Sequence, residues 1–157
     1  MARGTPATQA LKKAGMSFEL VEYEYVSGAA RIGLQAAEVM QVPASRVFKT
    51  LMVEVDGKPA CAIQPSDAEA DMKALAKAFG AKSARMMKPE AAERMTGYKV
   101  GGISPLGQRK RVPTPLEASA EAHESIYING GKRGLQIRLD PRALARELGC
   151  LVAAFVR

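Results

Sequence analysis

The hydrophobic positions of this chain change period several times, and each change marks an element. Thr5 precedes Pro6 and a stripe of Ala7, Ala10, Leu11 and Ala14 that stops at Gly15, the pattern of a short capped helix. Residues 17–26 then alternate, with Val21, Tyr23 and Tyr25 set against Glu22 and Glu24, and predict a half-buried strand. A helix over about 33–41 follows and ends before Pro43. The strongest short-range signal is a hairpin. VFKTLMVEV and KPACAIQ flank Asp56-Gly57, a pair suited to the positive φ angles of a tight turn.

Further on, Asp71 is placed to cap a helix with a stripe of Met72, Leu75, Ala76 and Phe79, closed by Gly80. A second helix runs from about Pro89 to Met95 and ends at Gly97. The texture then becomes GYKVGGISPLGQRKRVPTP, a glycine- and proline-punctuated loop with a basic cluster at Arg109, Lys110 and Arg111. Strands are expected at 125–129 and 134–139, joined by GGKR, and a last helix from Pro141 to Leu148 leads into an apolar tail. Both strand pairs have connections short enough to force antiparallel pairing, so a purely parallel doubly wound sheet is excluded. The expected fold is mixed α/β of the α+β kind, a mixed sheet or barrel flanked by helices, built as one domain over residues 1–157.

Strand parity brings the first chemistry into view. Val47, Lys49, Leu51, Val53 and Val55 share one face of the hairpin strand, and Phe48, Thr50, Met52 and Glu54 share the other. An ammonium group on the more apolar face must find a partner, shift its pKa or reach the rim, since an unpaired buried charge costs several kcal/mol. Spacing alone favours the rim, with the aliphatic stem covering apolar surface.

The run Gly101-Gly102-Ile103-Ser104-Pro105 lets a ligand approach the main chain closely, and its successive N–H groups suit an anion or oxyanion. It matches neither the Walker A nor the GxGxxG pattern. Gly130-Gly131-Lys132-Arg133 places two cations on a turn, suited to the phosphates of a nucleotide or polynucleotide and equally to a solvated hairpin tip.

Composition narrows the chemistry. The 157 residues are 47% hydrophobic and 25% charged, the balance of a globular domain, and the formal charge of +7 favours anionic partners such as nucleic acid. The two cysteines, Cys61 and Cys150, form no CxxC pair and sit in apolar surroundings, as small core residues rather than activated nucleophiles. Only one histidine is present, His123, beside Glu121 and Glu124 in a polar stretch, so no multi-histidine metal site is expected, and no cofactor. With no apolar leader at the N-terminus and no run long enough to span a bilayer, the expectation is a soluble, cytoplasmic protein in a reducing compartment. Catalysis, where present, must rest on positioning, main-chain dipoles, a lysine and a group brought by the substrate.

The segments VFKTLMVEVDG, TGYKVGGISPLGQRKRVPT and IYINGGKRGLQI closely resemble the YbaK-type Cys-tRNA(Pro) deacylases, relatives of the editing domain inserted in bacterial prolyl-tRNA synthetases. The resemblance runs in order from the N-terminal helix to near the C-terminus. It implies that family's distorted mixed barrel with surrounding helices, and hydrolysis of the ester joining cysteine to the terminal adenosine of tRNA(Pro). It implies that Lys49 holds the tRNA acceptor end and that Gly101 through Pro105 shape the aminoacyl pocket, with Gly101 and Gly102 at its catalytic centre. Tyr23, Thr50, Asn129, Gly130, Gly131, Lys132 and Arg133 complete the implied site. The family's proposed reaction has the cysteine thiol of the substrate attack its own ester carbonyl, releasing a cyclic thiolactone. Two positions depart from the familiar members: Asn129 stands where serine is usual, and Tyr25 where histidine often follows the Tyr-acid pair. Removal of another small residue, as from Ala-tRNA(Pro), and a non-catalytic tRNA- or synthetase-binding module are the rival readings, and prolyl-tRNA synthetase is the implied partner.

Overall fold

The computed structural model of the protein describes residues 4–25 and 32–157. Helix α1 (Pro6–Ala14) has the predicted cap: Thr5 Oγ1 accepts from Thr8 N, Thr8 Oγ1 accepts from Thr5 N, and Gly15 closes the helix with φ 71°. Strand β1 (Glu19–Glu22) is shorter than the alternating 17–26 pattern, of which residue 26 lies outside the described residues. It is an edge strand, paired only with β7, and after one further bond from Tyr23 N to Gly134 O the chain leaves the ladder. Helix α2 (Ile32–Met40) follows within a residue of expectation.

Strands β2 (Phe48–Val55) and β3 (Lys58–Pro65) form the hairpin, with Asp56 and Gly57 at φ 49° and 79°, the two positive angles its turn requires. The Asp56 carboxylate also accepts from the main-chain N–H groups of Lys82 and Ser83, which lead into strand β4 (Ala84–Met86) against β2. Helix α3 (Met72–Ala78) is capped by Asp71 and helix α4 (Pro89–Thr96) ends at Gly97, both as predicted. Strand β5 (Leu116–Glu117) is followed by the hairpin of β6 (Ile126–Asn129) and β7 (Leu135–Leu139). Helix α5 (Pro141–Leu148) and strand β8 (Val152–Ala153) complete the chain.

The expected mixed architecture holds, but the barrel does not close. The strands form two sheets, β1-β7-β6 and β4-β2-β3-β5-β8, with β3, β5 and β8 parallel to one another. Strands β5 and β8 have two residues each, too few to carry a period, and only the tertiary fold brings them together. The larger core joins α1, both sheets and α5 through Leu11, Phe48, Ile63, Ile128, Ile137 and Leu144. Burying each such side chain contributes roughly 1.5–3 kcal/mol. No helix among the described residues is long and apolar enough to cross a membrane.

One topological detail creates the site. Val47, just before β2, bridges in parallel to Tyr127 of β6, whereas β4 joins the same side of β2 only from Val53 onward. Between those two junctions β2 has an uncovered edge. Cys61 N and Ile63 N bond to Pro113 O and Pro115 O, away from β2, so ladder alternation assigns Lys49 and Leu51 to the bonds with β3. The main-chain groups of Thr50 consequently face the gap.

Candidate active site

A cleft of about 440 Å³ opens at that uncovered edge, within the range usual for small-ligand sites. Of the residues singled out from sequence, Lys49, Thr50, Gly101, Ile103 and Asn129 line it. Lys49 is half-buried in the cleft wall rather than stretched out along an open rim. The rim reading assumed one solvated strand face, but β2 is covered on both: Val47 and Val53 are buried on one side, Phe48 and Met52 on the other. The rest of the wall is largely apolar, with Leu51, Met52, Met87 and Ile103 among its residues.

Other positions stand behind the cleft and hold its shape. Gly102 packs so tightly against the 130–133 turn that a Cβ there would lie 2.9 Å from Lys132 Cα and 3.0 Å from Arg133 N. Its N–H donates to Lys99 O at 2.8 Å, so among N–H groups of the loop those of Gly101 and Ile103 remain to meet a ligand. Asn129 ties loop to turn: Nδ2 donates to Gly101 O at 3.1 Å and Oδ1 accepts from Gly131 N at 2.7 Å. Arg133, read from sequence as a phosphate contact, donates from Nε and Nη2 to Val100 O at 3.1 and 2.8 Å and lies over the Tyr25 ring. Gly130 O accepts from Thr5 Oγ1 at 2.6 Å, which fastens the turn to the start of α1. Ser104 is fully buried, with Oγ accepting from Leu106 N, and Pro105 lines a separate, smaller hollow. Neither Lys132 nor Tyr23 lines the cleft.

Tyr23 packs beside Val47 and Tyr127, and burial raises its hydroxyl above the ordinary tyrosine value, with the Gln136 side chain and Gly134 main chain acting in the other direction. Its Oη nevertheless stops short of a hydrogen bond with Gln136 and has no partner among the described residues.

Two residues were passed over in the sequence. Gln108 donates from Nε2 to Ser104 O at 3.0 Å, bracing the glycine loop from beneath, and Gln136 lines the cleft itself. Gln108 belongs to the quoted loop motif, but the amide's reach to its own loop is not readable from spacing. Gln136 alternates with Leu135 and Ile137, which in an uncovered sheet would mark it as solvent-facing.

Cys61 is fully buried next to Gln108, and burial pushes its thiol up to about 12; Cys150 rises to about 11 for the same reason, with Arg111 opposing. Raised values keep both sulfurs protonated at neutral pH. A disulfide-exchange reagent at pH 8 is expected to leave Cys61 unmodified in the native protein and to titrate both cysteines in denaturant. Rapid native modification of Cys61 would contradict its assignment to the core. His123 lies outside the cleft, and no group of three metal-capable side chains occurs among the described residues.

The family profile described as "Aminoacyl-tRNA editing domain" matches residues 28–147. The chain belongs to that family. It is 40% identical over 126 residues to an Enterococcus faecalis protein, EbsC, named as a candidate Cys-tRNA(Pro)/Cys-tRNA(Cys) deacylase, covering 78% of this chain and 76% of that one. A proline–tRNA ligase of Nitratidesulfovibrio vulgaris is 33% identical over 97 residues, which are 60% of this chain and 17% of the ligase. The fold is that of a crystal structure titled as a candidate trans-editing enzyme for prolyl tRNA synthetase, with TM-score 0.86, 20% identity and 99% of both chains covered.

Proposed function

We propose that this member of the editing-domain family deacylates mischarged tRNA(Pro), with Cys-tRNA(Pro) as its principal substrate. The observation that carries the reading is a cleft of aminoacyl size that presents a lysine and main-chain groups but no activated nucleophile among its described residues. Thr50 has a hydroxyl there but no adjacent base, and Cys61 is sealed beneath the loop with its thiol held neutral. A reaction in such a site draws its nucleophile from the substrate or from water.

With cysteine as the acyl group, the thiol sulfur attacks the ester carbonyl, the bond from that carbon to the ribose oxygen breaks, and the thiol proton ends on the released ribose hydroxyl. The products are free tRNA and a cyclic thiolactone, which water then opens. Intramolecular attack supplies an effective molarity of roughly 10⁵ M or more, which replaces a protein nucleophile. Lys49 anchors the anionic acceptor end, and the N–H groups of Gly101 and Ile103 are the loop's donors for the developing oxyanion, each worth roughly 3 kcal/mol in comparable sites. The net charge of +7 supports tRNA as the partner, and the relationship to prolyl-tRNA synthetase sequences points to that enzyme as the source of tRNA(Pro).

The test is a comparison of Cys-tRNA(Pro) with Ser-tRNA(Pro), which differ mainly in nucleophilicity. Serine turnover is expected to be at least about tenfold slower, and equal turnover would contradict thiol attack. The apolar walls formed by Met52, Met87 and Ile103 accept a methyl group as readily as a thiol, so Ala-tRNA(Pro), cleaved by water, is the second substrate to assay.

A further inference from the structure

The cleft contains a recognition group that neither sequence motif nor mechanism used. Gln136 is only 2% exposed and lines the cleft, yet its Oε1 is buried with no hydrogen-bond partner among the described residues. Thr50, on the uncovered edge of β2, lines the same cleft and its Oγ1 is likewise buried and unpartnered. Buried polar atoms are nearly always satisfied, so two orphans facing one cavity call for a ligand that donates to both. The contrast with Asn129 is instructive, because it is register-paired with Gln136 across β6 and β7 and occupies the same sheet face. Asn129 uses both ends of its amide to hold loop and turn, whereas Gln136 leaves its oxygen for something else.

The donor that fits is cationic and compact. The carboxylate lining the cleft is Glu69, which is exposed and paired with Arg157 at 3.8 Å, so the interior acceptors are neutral. We infer that Gln136 Oε1, together with Thr50 Oγ1, receives the α-ammonium group of the bound aminoacyl moiety and so sets the protein's preference for amino acids over other acyl groups. This assignment rests on the aminoacyl-ester reading above and adds the residue that reads the amine.

The experiment measures binding rather than turnover. Calorimetry would compare 3′-deoxy-3′-(L-alanylamino)adenosine, a non-hydrolysable aminoacyl mimic, with its propionyl analogue, in which hydrogen replaces the amine. Wild type is expected to prefer the alanyl compound by about tenfold or more, the effect of a hydrogen bond to a charged group. Gln136→Met keeps the shape, removes the acceptor and is expected to erase most of that preference while leaving propionyl binding nearly unchanged. Gln136→Glu is expected to retain or enlarge it. Thr50→Val gives an independent loss on a different strand, should the Gln136→Met protein fold poorly. An alanyl preference absent from wild type, or undiminished in both Gln136→Met and Thr50→Val, overturns the inference. Binding with the stated preference but no cleavage of any aminoacyl-tRNA would defeat the proposed reaction and leave the amine site standing.

Discussion

Replacing Lys49 with alanine is expected to lower the single-turnover rate of Cys-tRNA(Pro) deacylation by roughly 100-fold or more, the scale on which loss of a preorganised charge acts. The side chain is half-buried in the wall of the cleft, at the stretch of β2 that neither β4 nor β6 covers. Truncation removes a positive charge from a partly desolvated place where a polyanion's end must dock, and the same interaction in bulk water would be far weaker. The fold should persist, because the ladder bonds of Lys49 with Gln64 are main-chain bonds and do not depend on the side chain. A melting temperature near that of wild type, together with the rate loss, would separate a role in the site from a role in the core. Rates unchanged in Lys49→Ala would remove Lys49 from the reaction.

Gly102→Ala is expected to be nearly as damaging for a different reason. The added methyl would meet the main chain of Lys132 and Arg133 at 2.9–3.0 Å, and main chain, unlike a long side chain, has nowhere to turn. Either the glycine loop or the 130–133 turn must move. The clamp formed by Asn129 and Arg133 transmits that movement to Gly101 and Val100, at the cleft. Overpacking of this kind costs about 1–3 kcal/mol of stability, and a shift near 1 Å at the reacting centre costs about 100-fold in rate. Gly15→Ala is the control. That glycine also has positive φ, 71°, but nothing lies within 4 Å of its would-be Cβ, so the substitution should cost about 1–2 kcal/mol of stability and no activity. Parallel deacylation and thermal-melting measurements on the two variants test the distinction. Equal activity losses would show that the loop's glycines matter only through general stability.

The inference about Gln136 and the reassignment of Arg133 share a physical origin. In both, a polar side chain has a use fixed by what packs against it rather than by its neighbours in sequence. Arg133 looked like a phosphate ligand on a flexible turn, but its guanidinium caps Val100 O and stacks on Tyr25, so it braces the loop. Gln136 looked like a solvated strand residue, but the folding of α2 and β2 over that sheet face buries it.

Local interactions made much of the fold legible. The Thr5 cap, the Asp56-Gly57 turn, the Asp71 cap and the stops at Gly15 and Gly97 depend on residues within a few positions of each other, and the sequence by itself determined them. It also determined that the sheet could not be purely parallel, and it brought Lys49 and the glycine run forward as the chemistry-bearing positions. What only the tertiary structure decided depends on contacts between distant segments. The two-residue strands β5 and β8 exist because they meet each other and β3. The barrel stays open because β6 leaves β2 after Val47 and β4 arrives only at Val53. That same gap makes the cleft, turns Lys49 inward, and separates the residues that touch a ligand from those that hold the walls. Periodicity reports which face of an element a residue occupies, but whether that face meets core, cavity or solvent is set by chain brought back from elsewhere in the sequence.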